Sequence, residues 1–557
     1  MDEEKKPTSP FYKRREFIFT AAFAALVVFL LFSSRIAGRP PVLDSLTPRI
    51  GYPKDVMVIS GRFFGRARDG GEVAIGGYPL VSSDYLEWND NQISLRIPDD
   101  VSSGLVRVIT KKGRSRGILF TNREQIPVVI SGPEKPGEPY IRGVDPPAGS
   151  IGTLLTLTGM NFGVDRGASR VQFTWVSSEG VAQDSQGEGA SLTPALDYDL
   201  DYEAWGDREI QVRIPDGASS GHLVVSTDKG RSNAVYVEVS GAAGTKLFPL
   251  KRTYALQYSI EIRPSSATSP NSLYLWVPKP LEAPEQRGIQ LVSQEPEPMF
   301  EELRGVKLFR MENLEAGASY RVFQSYMVER YSIETKVNVG RVPLEYDTES
   351  KLYKRYTSAD PFVPADNERI GKQAAAIVGG ERNPWRKARA IYEWIVGRTE
   401  PAAAGQERDP VRLLDTRKGD AYEYALLFCA LARSAGLPAR PVAGYLLDRD
   451  LRASRHYWAE FYLPSIGWIP VDPFLGEGKV RALLPAEVNP RTYYFGNLDY
   501  EHLTFSKGLI ELSAMDPLGR GLRRPDIPSL QSIHEEASGN LTGYSAYWSD
   551  IQIMGVY

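Results

Sequence analysis

The sequence predicts a multidomain chain: two all-β sandwiches, a further β-rich domain and an α+β domain, behind one N-terminal transmembrane helix. Three observations carry this. A pattern of glycine, aromatic and turn residues in the first half of the chain occurs twice. Alternating apolar runs dominate as far as Tyr346, whereas helical periodicity begins only around Glu368. An uncharged apolar stretch follows a basic cluster near the start. At 557 residues the chain is also too long for a single core.

Residues 1–16 are polar and end in Lys13-Arg14-Arg15. Phe17 to Ser34 then carry no charge, enough for a helix of about 27 Å, close to the hydrocarbon thickness of a bilayer. A cleavable signal has similar parts, but Arg35 intrudes where a small-x-small cleavage site would stand. The expectation is a cytoplasmic tail over 1–16 and an uncleaved signal anchor over 17–36, oriented by its basic inner flank. The bulk of this single-pass membrane protein would then be extracytoplasmic, periplasmic or at the cell surface.

The repeat comes next. Gly61-Arg62-Phe63-Phe64-Gly65 returns as Gly159-Met160-Asn161-Phe162-Gly163. Trp88-Asn89-Asp90-Asn91-Gln92-Ile93 returns as Trp205-Gly206-Asp207-Arg208-Glu209-Ile210, and Arg96-Ile97-Pro98-Asp99 returns as Arg213-Ile214-Pro215-Asp216. The spacing between copies lengthens after the first motif, which places an insertion in the polar stretch Ser177 to Glu203. Short alternating runs such as Val56-Met57-Val58-Ile59, punctuated by Gly, Pro and Asp turns, make each copy an all-β sandwich, over 40–128 and 138–241. The pair resembles the IPT/TIG immunoglobulin-like family, whose copies share a Gly-x-x-Phe-Gly segment and often open with a turn like Pro48 to Gly51. Such modules serve as spacers, adhesive units or ligand-binding surfaces, with spacer the plainest expectation. Asp197 to Glu203 alternates carboxylates and reads as a solvated loop rather than a calcium site.

Gly241 to Thr245 is a linker of small residues. Beyond it Tyr254, Leu256, Tyr258, Ile260 and Ile262 alternate with other side chains, as do Tyr320 to Val328, giving a β-rich domain over 246–346. The α+β domain is expected over 360–480. Asn383-Pro384 caps and opens a helix through Val396 in which Ala388, Ile391, Tyr392 and Ile395 share a stripe.

Lys418 to Pro473 carries the chemistry. Asp420 followed three residues later by Glu423 has the spacing of a capping box, and the apolar run after it ends at Gly436 and Pro438, so one helix begins at Ala421. A first-turn position has unsatisfied backbone N–H groups and the positive end of the helix dipole, which stabilise a thiolate or an oxyanion. Downstream, Arg455 to Leu463 alternates as a strand, Pro464 to Gly467 turns, and Trp468 to Pro473 returns. The hairpin would bring Asp472 within a rung or two of His456, a carboxylate able to fix an imidazole's tautomer.

Gly419-Asp420-Ala421-Tyr422-Glu423-Tyr424-Ala425, His456-Tyr457-Trp458-Ala459-Glu460 and Gly467-Trp468-Ile469-Pro470-Val471-Asp472-Pro473 together resemble the core motifs of the transglutaminase-like superfamily of papain-like fold. The resemblance implies His456 as base and Asp472 as its orienter, and it places the nucleophilic cysteine at position 421. Ala421 stands there instead, so the nucleophile position is vacant. The sole cysteine, Cys429, lies among Leu426, Leu427, Phe428 and Leu431 and reads as core packing.

The function expected is a catalytically inactive, membrane-anchored transglutaminase-like protein that binds peptide or protein ligands. The alternatives are an active cysteine-type peptidase or transamidase, with an atypical nucleophile or an engineered Ala421, and an adhesion or spacer protein acting through the repeats. Net charge is near zero, with 66 basic against 69 acidic residues, so nothing favours a nucleic-acid partner. The four histidines, His222, His456, His502 and His534, show no paired metal spacing, and no metal or other cofactor is expected. His502 is the one other histidine worth testing, with a structural use the plainer expectation. The last segment, 481–557, is expected to dock on the core because Trp548 to Tyr557 is too apolar to hang free.

Overall fold

The repeated motifs explain each other once the chain is folded. In the first sandwich a Cβ on Gly61 would lie 2.1 Å from the Val42 carbonyl oxygen and 2.4 Å from the Phe64 ring. Gly159 makes the same approach to Tyr140 and Phe162. Only glycine lets the phenylalanine fold back over its own strand. The Trp88 indole N–H then donates to the Phe64 carbonyl at 3.2 Å, and Trp205 does so to Phe162 at 3.2 Å. The Gly-x-x-Phe-Gly and Trp segments are thus two halves of one lock.

The computed structural model describes residues 39–123, 135–177, 191–403, 409–480 and 483–557, with Phe19, Ala22, Phe23, Leu26 and Val27 near the start. No helix among the described residues is long and apolar enough to cross a membrane. The span expected over 17–36 lies outside them apart from those five positions.

Met1–Ser131 and Gly132–Tyr557 are separate compact units. In the first, a four-stranded sheet (Val42–Thr47, Val56–Arg62, Gln92–Arg96, Tyr85–Trp88) faces a six-stranded one. Met57, Ile59, Ile93 and Leu95 from one sheet meet Val73, Val106, Val108 and Phe120 from the other, all fully buried. Residues 139–240 repeat the arrangement strand for strand.

In the second unit the β-rich domain is organised by one very long strand, Lys251–Pro278. Its first half pairs with Tyr320–Tyr331 and its second with Val306–Glu312. Its other edge takes Glu535–Trp548 and Gln552–Val556, so the C-terminal segment is built into this sheet. The α+β domain packs helices Glu368–Val378, Pro384–Val396 and Ala421–Ser434 on a four-stranded sheet. The order is Gly467–Val471, Ala453–Leu463, Ala439–Leu447, His502–Lys507, the last strand arriving from beyond residue 480. Helix Ala421–Ser434 is buried on nearly every side, as a helix apolar around its whole circumference must be.

The second sandwich is no free spacer. Asp199 and Asp201, expected in a solvated loop, are buried. Asp199 forms an ion pair with Arg440, whose guanidinium stacks 3.8 Å from the Trp468 ring centroid. Arg440 Nε also donates to Glu460 at 2.8 Å, and Lys507 bridges Glu460 and Glu285 at 2.8 and 2.9 Å. Burial alone would raise the Glu285 carboxyl, but Lys507 and Arg330 outweigh it and hold it at about 2. Lys246 forms a further ion pair with Asp216 and donates to the Trp468 carbonyl at 2.7 Å. A buried, alternating row of charges therefore ties sandwich, α+β domain and β-rich domain together. The carboxylate alternation was legible in sequence, but its partner Arg440 was too distant along the chain to suggest burial.

Candidate active site

Helix Ala421–Ser434 starts where its capping box places it. Asp420 accepts from the Glu423 backbone N–H at 3.1 Å, and Glu423 reaches back to the Asp420 N–H at 3.3 Å. Arg412 holds the other Glu423 oxygen at 3.3 Å. A Cβ on Gly419 would stand 2.6 Å from the Glu423 carboxylate, so the approach to this helix end needs the glycine. Ala421 is 7% exposed, the first residue of the helix, and presents a methyl group there.

The helix lies along strand Ala453–Leu463. Two aromatic contacts bring the Ala421 end of the helix to the His456 end of the strand. Tyr422 meets Tyr457 edge-on at 5.0 Å, and Tyr424 meets Phe474 at 5.3 Å, with Phe474 6.0 Å from the His456 ring. Tyr422 and Tyr457 are the chain neighbours of Ala421 and His456, and Phe474 links Tyr424 to the His456 ring.

His456 and Asp472 meet directly. His456 Nε2 lies 2.6 Å from Asp472 Oδ2, both side chains buried. The hairpin achieves this through the register Ala459↔Val471, which sends the chain beyond Val471 alongside the His456 end of the partner strand. Asp472 is also the N-cap of a short helix, its Oδ1 accepting from Leu475 N at 2.9 Å. Burial would raise its carboxyl, but His456 and His502 more than offset that and hold it well below the usual carboxylate range. With Nε2 committed to Asp472, Nδ1 is the ring nitrogen left for a reacting group.

His502, the other histidine worth testing by sequence, joins the pair here together with Asp499, a contact that sequence reasoning did not foresee. His502 Nε2 lies 3.2 Å from Asp472 Oδ2, and its Nδ1 lies 2.5 Å from Asp499 Oδ1. Tyr494 donates to Asp499 Oδ2 at 2.7 Å. Burial would lower the His502 imidazole, yet Asp499 and Asp472 prevail and raise it to about 9. The only signal in the sequence was an acidic residue three before a histidine that opens an alternating run. His534 lies elsewhere, packed edge-on against Trp548 and pushed down to about 3 by burial and by Arg523 and Arg524. Cys429 is fully buried in the core, and burial pushes its thiol up.

Among the described residues, His456, Asp472 and His502 are the one grouping whose ligand atoms lie within 4.8 Å of one another. These atoms are spent on each other. The 2.6 Å from His456 Nε2 to Asp472 Oδ2 is a hydrogen bond, shorter than the about 3.3 Å between two ligands of a tetrahedral ion. The arrangement is a histidine–carboxylate pair of the kind able to handle a proton, with an extra histidine behind the carboxylate.

Comparison with known proteins identifies the domains. The transglutaminase-like superfamily model matches residues 371–473, and the IPT/TIG domain model matches 41–122 and 139–240. An uncharacterised protein of Haemophilus influenzae is 30% identical over 185 residues, covering 28% of this chain and 50% of the relative. A protein-glutamine gamma-glutamyltransferase of Pseudomonas aeruginosa is 38% identical over 85 residues, covering 13% of this chain and 12% of the relative. The chain therefore spans half or less of the length of these relatives. The crystal structure of the periplasmic domain of TgpA from Pseudomonas aeruginosa aligns at 20% identity and a TM-score of 0.23, covering 39% of this chain and 87% of that one. The chain carries a transglutaminase-like domain and two IPT/TIG domains.

Proposed function

We propose that the chain is an extracytoplasmic, membrane-anchored member of this group that has lost its nucleophile and binds a peptide or protein ligand without turning it over. The observation that carries the reading is the intact His456–Asp472 pair at 2.6 Å beside a helix that begins with Ala421. Acyl transfer through a thioester forms a sulfur–carbon bond and expels an amine, and a methyl group can do neither. What the site retains is a helix start whose N–H groups suit a carbonyl oxygen, with a histidine and a carboxylate held for proton handling. A glutamine-like side chain, the group named for the Pseudomonas relative, is the ligand chemistry that suits it. The anchor rests on the uncharged run Phe17 to Ser34 behind Lys13-Arg14-Arg15.

The burial of Cys429 speaks against the active alternative, because no substrate carbonyl reaches a fully enclosed thiol. The test is a purified chain incubated with glutamine peptides, with and without an amine donor. No deamidation, hydrolysis or crosslinking is expected. Turnover by the unaltered chain that disappears in His456→Ala would overturn the reading.

A further inference from the structure

Asp472 is a carboxylate with no exposed surface, and an isolated buried carboxylate costs several kcal/mol to keep ionised. Its donors are the Leu475 N–H, His456 and His502. His456 gives it one hydrogen bond, through Nε2. His502 is different, because both of its ring nitrogens lie against carboxylate oxygens, Asp499 at 2.5 Å and Asp472 at 3.2 Å. Neither oxygen has a proton to offer if both acids are ionised, so both nitrogens carry hydrogen and the ring is an imidazolium. Asp499 is in turn held by the Tyr494 hydroxyl at 2.7 Å and the Glu501 N–H at 3.2 Å.

We propose that His502 is a positioning residue for this site: it fixes the charge and orientation of Asp472 and, through Asp472, the tautomer of His456. The proposal deepens the reading above, since it concerns how the retained pair is kept in working order. The buried row runs Tyr494, Asp499, His502, Asp472, His456, with charges alternating along its middle three members. If His502 were removed, Asp472 would keep only His456 and one backbone N–H in a fully buried site. It would then either take up a proton or draw the charge onto His456, and in both cases His456 loses its fixed Nε2–H and bare Nδ1. The rings are placed for this coupling. Trp458 meets His502 edge-on at 5.1 Å and stacks over His456 at 6.1 Å, so one indole fixes both imidazoles.

A buried ion pair serving stability alone is the competing account, and the tautomer of His456 separates the two. The chain has four histidines, so selective labelling with ring-15N histidine gives a spectrum that can be assigned by substitution. In the unaltered protein at pH 7, His502 is expected to show two protonated nitrogens and His456 one protonated Nε2 and one bare Nδ1. In His502→Gln the His456 pattern is expected to change to an averaged or doubly protonated ring. Asp499→Asn, which leaves the His502 ring in place but removes the carboxylate that keeps it charged, is expected to shift His456 the same way and serves if His502→Gln fails to fold. In an Ala421→Cys background, each is expected to lower iodoacetamide labelling of the new thiol at pH 7 on the order of tenfold, the scale of losing a group that orients another. An unchanged His456 spectrum in a folded His502→Gln or Asp499→Asn protein would overturn the proposal. None of these readouts uses a substrate, so failure here leaves the inactive-site reading standing, and turnover by the unaltered chain would defeat that reading without touching this one.

Discussion

Gly444 lies so close to Leu503 that a Cβ added to it would stand 1.9 Å from the Leu503 carbonyl oxygen. Gly444 is also the residue paired across the sheet from His456. One bare Cα thus sits between the strand carrying His456 and the strand carrying His502.

Gly444→Ala is therefore expected to force apart strands Ala439–Leu447 and His502–Lys507, because the atom it meets is backbone and cannot rotate away. A loss of about 1–3 kcal/mol in urea unfolding is expected, the usual scale of overpacking. The doubly protonated ring signal of His502 should disappear with it. A variant with unchanged stability and an unchanged His502 spectrum would contradict the close approach.

The thiol background of the protein should be silent. Native Cys429 is expected to resist Ellman's reagent and iodoacetamide, and one thiol should appear on unfolding in guanidinium, as burial at 0% exposure requires. Against that background Ala421→Cys should label readily, and adding His456→Ala should slow the labelling by about 10²-fold or more if the imidazole acts as a base. Rapid labelling of the unaltered native chain would mean that the core around Cys429 opens.

Arg440 joins the second sandwich to the α+β domain. Its replacement by alanine leaves Asp199 and Glu460 buried without their shared cation, and breaking one side of such a pair costs about 3–5 kcal/mol. Calorimetry should show a large fall in Tm, and limited proteolysis should begin to cut near residues 191–203. A loss below about 1 kcal/mol would show that the buried charges relax without it.

The alkaline side of the stability profile follows from His502. Its pKa rises from 6.5 to about 9 on folding, so the folded chain binds the proton more tightly. The contribution is complete below pH 6.5 and is lost as pH climbs to about 9, on the order of 3 kcal/mol in all. The groups facing the ring are Asp472, His456, Asp499, Glu501 and Tyr494. Glu501, pushed up to about 8 by burial and by Asp499, leans the same way. Urea titrations at pH 6.5 and 9 should show the drop, and His502→Gln should reduce it without abolishing it. Equal slopes in both proteins would remove the charge assigned to His502.

Some of this was legible along the chain because its causes are local. A capping box needs residues three apart, so Asp420 and Glu423 announced the helix start and put Ala421 on it. A tight hairpin constrains its two arms, so Pro464 to Gly467 was enough to bring Asp472 toward His456. The repeated glycine and phenylalanine are neighbours in sequence as well as in space. Asp199 was misread for the opposite reason. A run of alternating carboxylates favours water unless a cation is buried against it, and that cation, Arg440, lies 241 residues away.

The sequence by itself determined the domain types, the placing of Ala421 at the start of its helix and the pairing of His456 with Asp472, because each is set by local motifs, one helix end or one hairpin. Tertiary structure alone decided that His502 stands behind Asp472 and that the second sandwich is bound into the same body as the site. Both depend on which strand lies beside which and on which buried charge finds its counter-charge, and those pairings are settled by the packing of the whole unit rather than by any short stretch of chain.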